Sequence, residues 1–559
     1  MMRLCGYLGL SVLLSAGAFG ESAGPAQKFD VADVHNSPRT TQPLVRGPFY
    51  MGGRYELRFA SMIDLIRIAY GVDPEKVTGG PNWLEMDRFD VFAKAPANST
   101  AESRKLMLQS LLADRFKLAI HNDSKPMSAF ALTATKHSQL KESDGSGDSS
   151  CNFNLLNAPT GPPAPGTAIT MPQIQYTCKN TSMAVFAAKM PDIPAAQQYL
   201  NNTLVVDKTD LQGTWDFSFK FTPKIPAGIA TTGENMPFFD AVEKQLGLKL
   251  EMSTTPLPVI VVDSVNRKPT ENSPEAMKQF PPLPTEFEVA SLKPTPPDAG
   301  RGGPQRPDIR NGRLYLPGIS LKNLIQVAWD LNSDEMLLGA PGWMNDDKYD
   351  ILAKAPEGVA MGDLTPSRTG IPVNIDALRP MIRSLITERF KLVAHLEDRP
   401  VTAYTLLATK QPKLKKADPN SRTRWSEGVQ PDSKGSKNAN ASLGRLVNCQ
   451  NVTMAQFAEL LPGIAPGYLR TEVTDATGLE GGYDFTFSFS PIGALQAGRG
   501  PSRDGAASPG AEAPEASDPS TALSLFDALN RQLGLKLEMQ KRPAPVLVIE
   551  KVERKPTEN

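Results

Sequence analysis

The sequence predicts an α+β protein of two tandem homologous domains, each built from two half-units that run helix, strand, strand, helix, strand, strand with mainly antiparallel sheets. Three observations carry this. RKPTEN stands at Arg267–Asn272 and again at Arg554–Asn559, 287 residues apart. The helix-to-strand passage QLGLKLEM recurs at the same spacing, at Gln245–Met252 and Gln532–Met539. Inside each copy an aromatic followed by aspartate opens a strand twice, at Phe89-Asp90 and Trp215-Asp216, then at Tyr349-Asp350 and Tyr483-Asp484. The first two observations make a tandem duplication, and the third makes each copy a looser echo of itself.

The elements follow in order. Each copy opens on a short strand, FDVADV from Phe29 or FEVASL from Phe287, followed by a Gly/Pro/Arg-rich loop. An amphipathic helix comes next, starting at Ser61 or Ser320. It sets Met62, Leu65, Ile66 and Ala69, or Leu321, Leu324, Ile325 and Ala328, on one stripe, with serine at the N-cap position. A Gly-Pro turn ending in tryptophan, GGPNW or GAPGW, leads to the strand FDVFAKAP or YDILAKAP. A second helix carries Leu108, Leu111, Leu112 and Phe116, matched by Ile382, Leu385, Ile386 and Phe390, and runs into strands at FKLAIH and SAFALTA or FKLVAH and TAYTLLA. The second half-unit repeats the plan with helices near Ser182 or Thr453, a strand after Trp215 or Tyr483, and a helix ending at Gly247 or Gly534, a residue suited to a left-handed C-cap. Strands LKLEM and VIVVDSV, or LKLEM and VLVIEKV, close each copy.

Domain boundaries follow from the duplication: repeat domain 1 over 28–272, a proline-rich linker over 273–284, and repeat domain 2 over 285–559. Residues 143–170, 417–442 and above all 496–520, a Gly/Ala/Pro/Ser run, lack periodic apolar residues and read as disordered insertions.

The chain has 559 residues, with 60 basic and 60 acidic side chains, so no global charge favours nucleic acid or an anionic membrane surface. Arg3 precedes an uncharged stretch from Leu4 to Gly20 with small residues at Ala16, Gly17 and Ala18, which reads as a signal peptide over 1–20. Cleavage is expected after Ala18 or Gly20. No later stretch reaches the roughly 20 apolar residues of a membrane helix. The expected location is periplasmic or extracellular, with no integral membrane segment in the mature chain. In that oxidising setting Cys151 and Cys178 could form a disulfide, leaving Cys449 unpaired.

Several motifs in fixed order carry a resemblance that spans nearly all of both copies. They are FDV near the start, G-x-P-x-W followed by [FY]-D-[VI]-x-A-K-A-P, RFKL followed by histidine, TGL-x-G-x-YDF in the second copy and the terminal QLGLKLE. Together they resemble an uncharacterised family of exported proteins expanded in soil acidobacteria, with related domains attached to BlaR-type sensor peptidases. The resemblance implies export and brings no activity, catalytic residue or ligand. TDLQGTWDF in copy one departs from the family pattern, as does the duplication.

Candidate site residues are few. His121 and His395 are the only histidines in matching positions, but each is single, with no H-x-x-x-H or C-x-x-C nearby. No metal site and no cofactor is expected. Trp83 and Trp343, on turns, could offer a platform to a sugar or peptide, although packing against the adjacent helix is the plainer role. The four aspartates recur at one local position, which points to pinning a turn rather than to acid/base chemistry. G-x-S-x-G, Walker A, H-E-x-x-H and dinucleotide motifs are missing, so the common motif-bearing enzymes are disfavoured. The expected function is a non-catalytic binding or interaction protein with a protein, peptide or glycan ligand in the cell envelope, using sheet edges, loops or the cleft between half-units. The alternative is an unrecognised envelope hydrolase using histidine and aspartate in each repeat.

Overall fold

A computed structural model describes residues 27–557 apart from 39, 41–43, 137–138, 157–168, 171, 201–202, 225–230, 233–234, 281–282, 297–306, 363–372, 430–444 and 493–522. The expected signal peptide and the insertion over 496–520 lie outside the described residues.

The first copy runs β1 (Val31–Asn36), β2 (Arg46–Met51), β3 (Arg54–Ser61), α1 (Met62–Tyr70), β4 (Val77–Gly79), β5 (Arg88–Lys94), α2 (Ala101–Phe116) and β6 (Ala119–Ala134). Its second half-unit runs β7 (Lys141–Glu142), β8 (Ser150–Leu156), β9 (Ile169–Thr170), β10 (Gln173–Thr181), α3 (Met183–Lys189), α4 (Gln197–Leu200), β11 (Val205–Asp207), β12 (Trp215–Phe221), β13 (Thr231–Thr232), α5 (Phe238–Leu246) and β14 (Leu248–Ser264). The second copy repeats this as β15 (Val289–Pro294), β16 (Asp308–Arg310), β17 (Arg313–Ser320), α6 (Leu321–Trp329), β18 (Leu337–Leu338), α7 (Trp343–Asp346), β19 (Lys348–Lys354), α8 (Ile375–Phe390) and β20 (Val393–Ala408). It ends with β21 (Lys415–Lys416), β22 (Arg424–Val429), β23 (Arg445–Thr453), α9 (Met454–Ile464), β24 (Val473–Asp475), β25 (Gly482–Phe489), α10 (Leu525–Ala528) and β26 (Leu535–Lys551).

The α+β class is the observed one. Half-unit sheets have the orders β1-β5-β3-β2 and β7-β12-β10-β8 in copy one, and β15-β19-β17-β16 and β21-β25-β23-β22 in copy two. The four orders are the same order, so the half-unit echo is a structural fourfold repeat. Several segments differ from the sequence reading. β8 and β22 form paired strands inside the stretches 143–170 and 417–442, expected to be disordered. The Gly/Pro/Arg-rich loop holds the hairpin β2–β3, or β16–β17 in copy two. The two strands expected at the end of each half-unit are one continuous strand: β6, β14, β20 and β26 are each 16 or 17 residues long.

These long strands give each copy its plan. β6 and β14 pair antiparallel from Leu248 opposite Ala134 to Ser264 opposite Ala119. β11 joins this ribbon at one end, parallel to β6, and β4 joins it at the other, parallel to β14. One end of the ribbon enters the core of the first half-unit through Ile260 and Val262, and the other enters the second core through Leu132 and Leu248. Between the two cores lies a waist only two strands wide. Pro126 faces Pro256 there, and Pro400 faces Pro543 in the other copy. A proline pair is tolerated where no third strand asks for its missing N–H.

Shared residues serve these cores. Phe89 meets Phe116 edge to face at 4.9 Å, and Tyr349 meets Phe390 the same way at 5.1 Å. Such a pair adds about 1 kcal/mol to the burial of its rings. Gly79 and Gly339 have positive φ and pass so close to the ribbon that a Cβ would lie 2.9 Å from the Val262 carbonyl oxygen or 2.5 Å from that of Ile549. That approach explains the first glycine of G-x-P-x-W.

All four aspartates do one job. The Oδ1 atoms of Asp90, Asp350, Asp216 and Asp484 accept the backbone N–H of Phe59, Gly318, Asn180 and Asn451 at 2.8–2.9 Å. Each donor has positive φ and sits where the register of its strand shifts. The carboxylate therefore pins a β-bulge. RKPTEN is equally structural: Arg267 pairs with Asp87 and Arg554 with Asp347, while the Thr270 and Thr557 N–H groups donate to the Arg115 and Arg389 carbonyls.

The copies meet through residues they do not share. Arg46 donates to both oxygens of Asp376 at 3.0 and 2.8 Å, Arg58 reaches the same carboxylate at 3.0 Å, and Asn374 donates to Glu56 at 3.3 Å. Arg422, on the other half-unit of copy two, donates to the Val77 carbonyl at 2.8 Å. The linker is not loose along its length, since Ala276 and Phe280 are buried. The Arg54 guanidinium lies over the Phe280 ring.

Candidate functional site

The waist separates the copies most clearly. In copy one, Ala129, Leu204 and Leu257 form a small buried cluster there, with Met127 and Val206 packed against it. The matching residues of copy two, by strand register, are Ala403, Glu472, Ala544, Val401 and Thr474. Two leucines have become glutamate and alanine, and methionine and valine have become valine and threonine. A cleft of about 300 Å³ stands in their place, lined by all five of these residues. Asp330, Asn332 and Met336 of the first half-unit and Arg470–Glu472 of the second form its walls, and Thr40 of copy one reaches its rim.

Arg542 dominates the cleft. It stands where copy one has the buried Thr255, on the ribbon opposite Val401. Its Nη1 donates to Thr474 Oγ1 and its Nη2 to Thr405 Oγ1, the latter at 3.2 Å. Copy one has Val206 and Ala131 at those two positions. An arginine and the two hydroxyls that orient it therefore occupy three strands of copy two together. Among the described residues Arg542 has no carboxylate partner, and the Arg470 and Glu472 side chains make no hydrogen bond or ion pair. Outside the cleft lining, Asp334 is held below the usual carboxylate range by its Lys322 and Gln326 hydrogen bonds, with the Arg470 charge adding to them.

A second cleft of about 300 Å³ lies at the junction of the copies, between Phe49, Arg54 and Glu56 on one side and Gly358, Val359 and Asn374 on the other. Arg54 pairs with Glu56 and Glu56 accepts from Asn374, while Glu357 lines the same cleft. Arg54, Glu56 and Asn374 belong to the joint between the copies, whereas in the waist of copy two Arg542 has no carboxylate partner among the described residues.

The residues singled out by the sequence fall elsewhere. Trp83 is 8% exposed, edge-on to Phe89 in the first core, so it has no open ring face and is not a platform. Trp343 is half-buried against the corresponding core of copy two. His121 and His395 are exposed near one end of each ribbon, where their Nδ1 atoms lie 2.8 Å from carboxylate oxygens of Asp263 and Glu550. These two pairs match between copies, but neither lies in a cleft described above. Cys151 and Cys178 are cross-strand neighbours joined by a disulfide. Copy two puts Trp425 opposite Cys449 at the same register. Burial pushes the Cys449 thiol up to about 12, which makes it a poor nucleophile.

Sequence reading missed the waist because it weighed what the copies share. The signal was in their differences: Leu204/Glu472, Leu257/Ala544 and Thr255/Arg542 stand at matched places in otherwise similar segments. Among the described residues no group of three or more His, Cys, Asp or Glu side chains could hold a metal ion, and no helix is long and apolar enough to cross a membrane. No curated protein and no solved structure matches the chain. A family model does match, over residues 63–265 and again over 322–552, and so the chain belongs, twice over, to the family described as protein of unknown function DUF3738.

Proposed function

We propose that this is an exported, non-catalytic binding protein whose ligand sits in the waist cleft of copy two. One observation carries the reading: positions that fill the waist with leucines in copy one line an open cleft with unpaired charge in copy two. Filling a waist is the stable solution, since a leucine side chain taken out of water contributes roughly 2 kcal/mol. A copy that gives this up and sets an oriented arginine there is configured for a partner. The Cys151–Cys178 disulfide supports an oxidising compartment.

The test restores the packing of copy one. A triple variant, Glu472→Leu, Thr474→Val and Ala544→Leu, is compared with the wild type in a thermal-shift screen of a small-metabolite library. Compounds that raise the Tm of the wild type alone support the reading. A screen in which no compound distinguishes the two proteins overturns it.

The second reading, an envelope hydrolase, rests on the two matched histidine–carboxylate pairs at 2.8 Å. A carboxylate orienting imidazole is half of a general-base device. Turnover of ester, peptide or glycan substrates, abolished by His121→Ala with His395→Ala, would establish it. No turnover across that panel removes it.

A further inference from the structure

We infer that the waist cleft of copy two receives a small organic acid carrying a hydrogen-bond donor beside its carboxylate, an α-amino or α-hydroxy acid. The inference rests on the binding reading above and adds the ligand's chemistry to it.

The cation comes first. Guanidinium has five N–H donors in a rigid fork, and Arg542 spends two of its nitrogens on threonine hydroxyls. Hydroxyls orient the fork without neutralising it, as a carboxylate partner would. The remaining donors can meet the two oxygens of a ligand carboxylate side by side, the geometry in which arginine is most selective. Arg470, on the rim, adds a second positive charge to the same space.

The anion decides the class. Glu472 takes the place of the buried Leu204 and lines the cleft with no side-chain partner among the described residues. A dianion such as phosphate would meet its repulsion. A ligand with an ammonium or hydroxyl group next to its carboxylate turns the same glutamate into an acceptor. The floor of Val401, Ala403 and Ala544 is small and apolar. At about 300 Å³ the space is at the lower end for small-molecule sites, which suits a compact acid rather than a long chain.

Copy one supplies the control, because it folds the same waist without any of these groups. Arg542→Thr installs the residue that copy one carries at that position, so the fold accommodates it. Calorimetric titration of the whole protein with L-alanine, lactate, acetate, L-alaninamide and inorganic phosphate then tests the class. The expected result is binding of L-alanine or lactate at least about tenfold tighter than acetate, alaninamide or phosphate, lost by at least about tenfold in Arg542→Thr. Glu472→Gln separates the two sources: it weakens L-alanine more than lactate if the natural ligand is an amino acid, and both alike if it is a hydroxy acid. Acids that bind no better than alaninamide, or that ignore Arg542→Thr, overturn the inference. If neutral compounds from the metabolite screen fill the cleft while every acid fails, the ligand class is wrong and the binding reading stands. If nothing distinguishes the filled triple variant, both fall.

Discussion

The two waists are the same construction put to different ends. Each is a pair of long strands crossing between two cores, with facing prolines at the crossing and a short parallel strand at either end. Copy one seals the crossing with Leu204 and Leu257, whereas copy two opens it and places Arg542 on the ribbon. Duplication lets one copy hold the architecture while the packing of the other changes. The same contrast recurs at the edge strands of the second half-units. There copy one ties β8 to β10 by a disulfide, and copy two places Trp425 opposite the matching cysteine. What the copies share is fold. What they do not share includes the joint between them, the cleft and the disulfide of copy one.

The contrast breaks most sharply if the sealed waist is opened. Leu257→Ala removes a side chain that is 6% exposed and should lower the stability of copy one by about 2–4 kcal/mol. Ala544→Leu, its converse, should leave copy two unchanged or more stable. Hydrogen exchange read by mass spectrometry assigns each effect to its copy, and equal losses in both would show that the waists are not alternatives of one design.

Next in size is the crosslink. The disulfide closes a loop of sequence separation 27, for which chain entropy gives about 3.6 kcal/mol. Cys151→Ser with Cys178→Ser should therefore loosen β8 and its neighbours in urea unfolding. Cys449→Ser should be felt only in copy two. A reductant that shifts exchange in copy two as much as in copy one would contradict the assignment.

The cores and bulges were legible in the sequence because they obey local rules. A serine before an apolar stripe marked α1 and α6, and the recurrence of aspartate after an aromatic already separated a pinning role from acid/base chemistry. The long strands were not legible. The expected strands FKLAIH and SAFALTA stop on either side of Pro126, and LKLEM and VIVVDSV on either side of Pro256 and Pro258, whereas the two-stranded waist, a tertiary fact, carries the chain through these prolines. The hairpin β2–β3 was hidden for a related reason. Its outward residues Arg54, Glu56 and Arg58 face the other copy, so the alternation marks a joint instead of a solvent surface. Packing was the plainer role expected of Trp83, and the ring lies buried, edge-on to Phe89.

The smallest expected effect compares the first helix of each copy in acid. Asp64 completes a capping box with Ser61 and pairs with Arg67 and Arg88, and copy two has the neutral Asn323 at the same place. Burial raises the Asp64 carboxyl, but the two arginines and the Ser61 hydrogen bonds outweigh it, and the group lies below its ordinary value of 3.8. The sign follows. A carboxyl depressed on folding contributes stability above its unfolded value and loses it as pH falls through the folded one. Between neutral pH and about 4 the contribution is intact, and below that the N-terminal turn of α1 should loosen, where the matching turn of α6 is capped without a carboxylate. Its size is about 1 kcal/mol, the upper end for partly exposed pairs. Asp64→Asn should weaken α1 at neutral pH by that amount and remove the acid sensitivity of its capping box, while α6 keeps the titrating contact that Asp334 makes with Lys322 and Gln326. Acid sensitivity that persists in the variant would place the titrating group elsewhere in copy one.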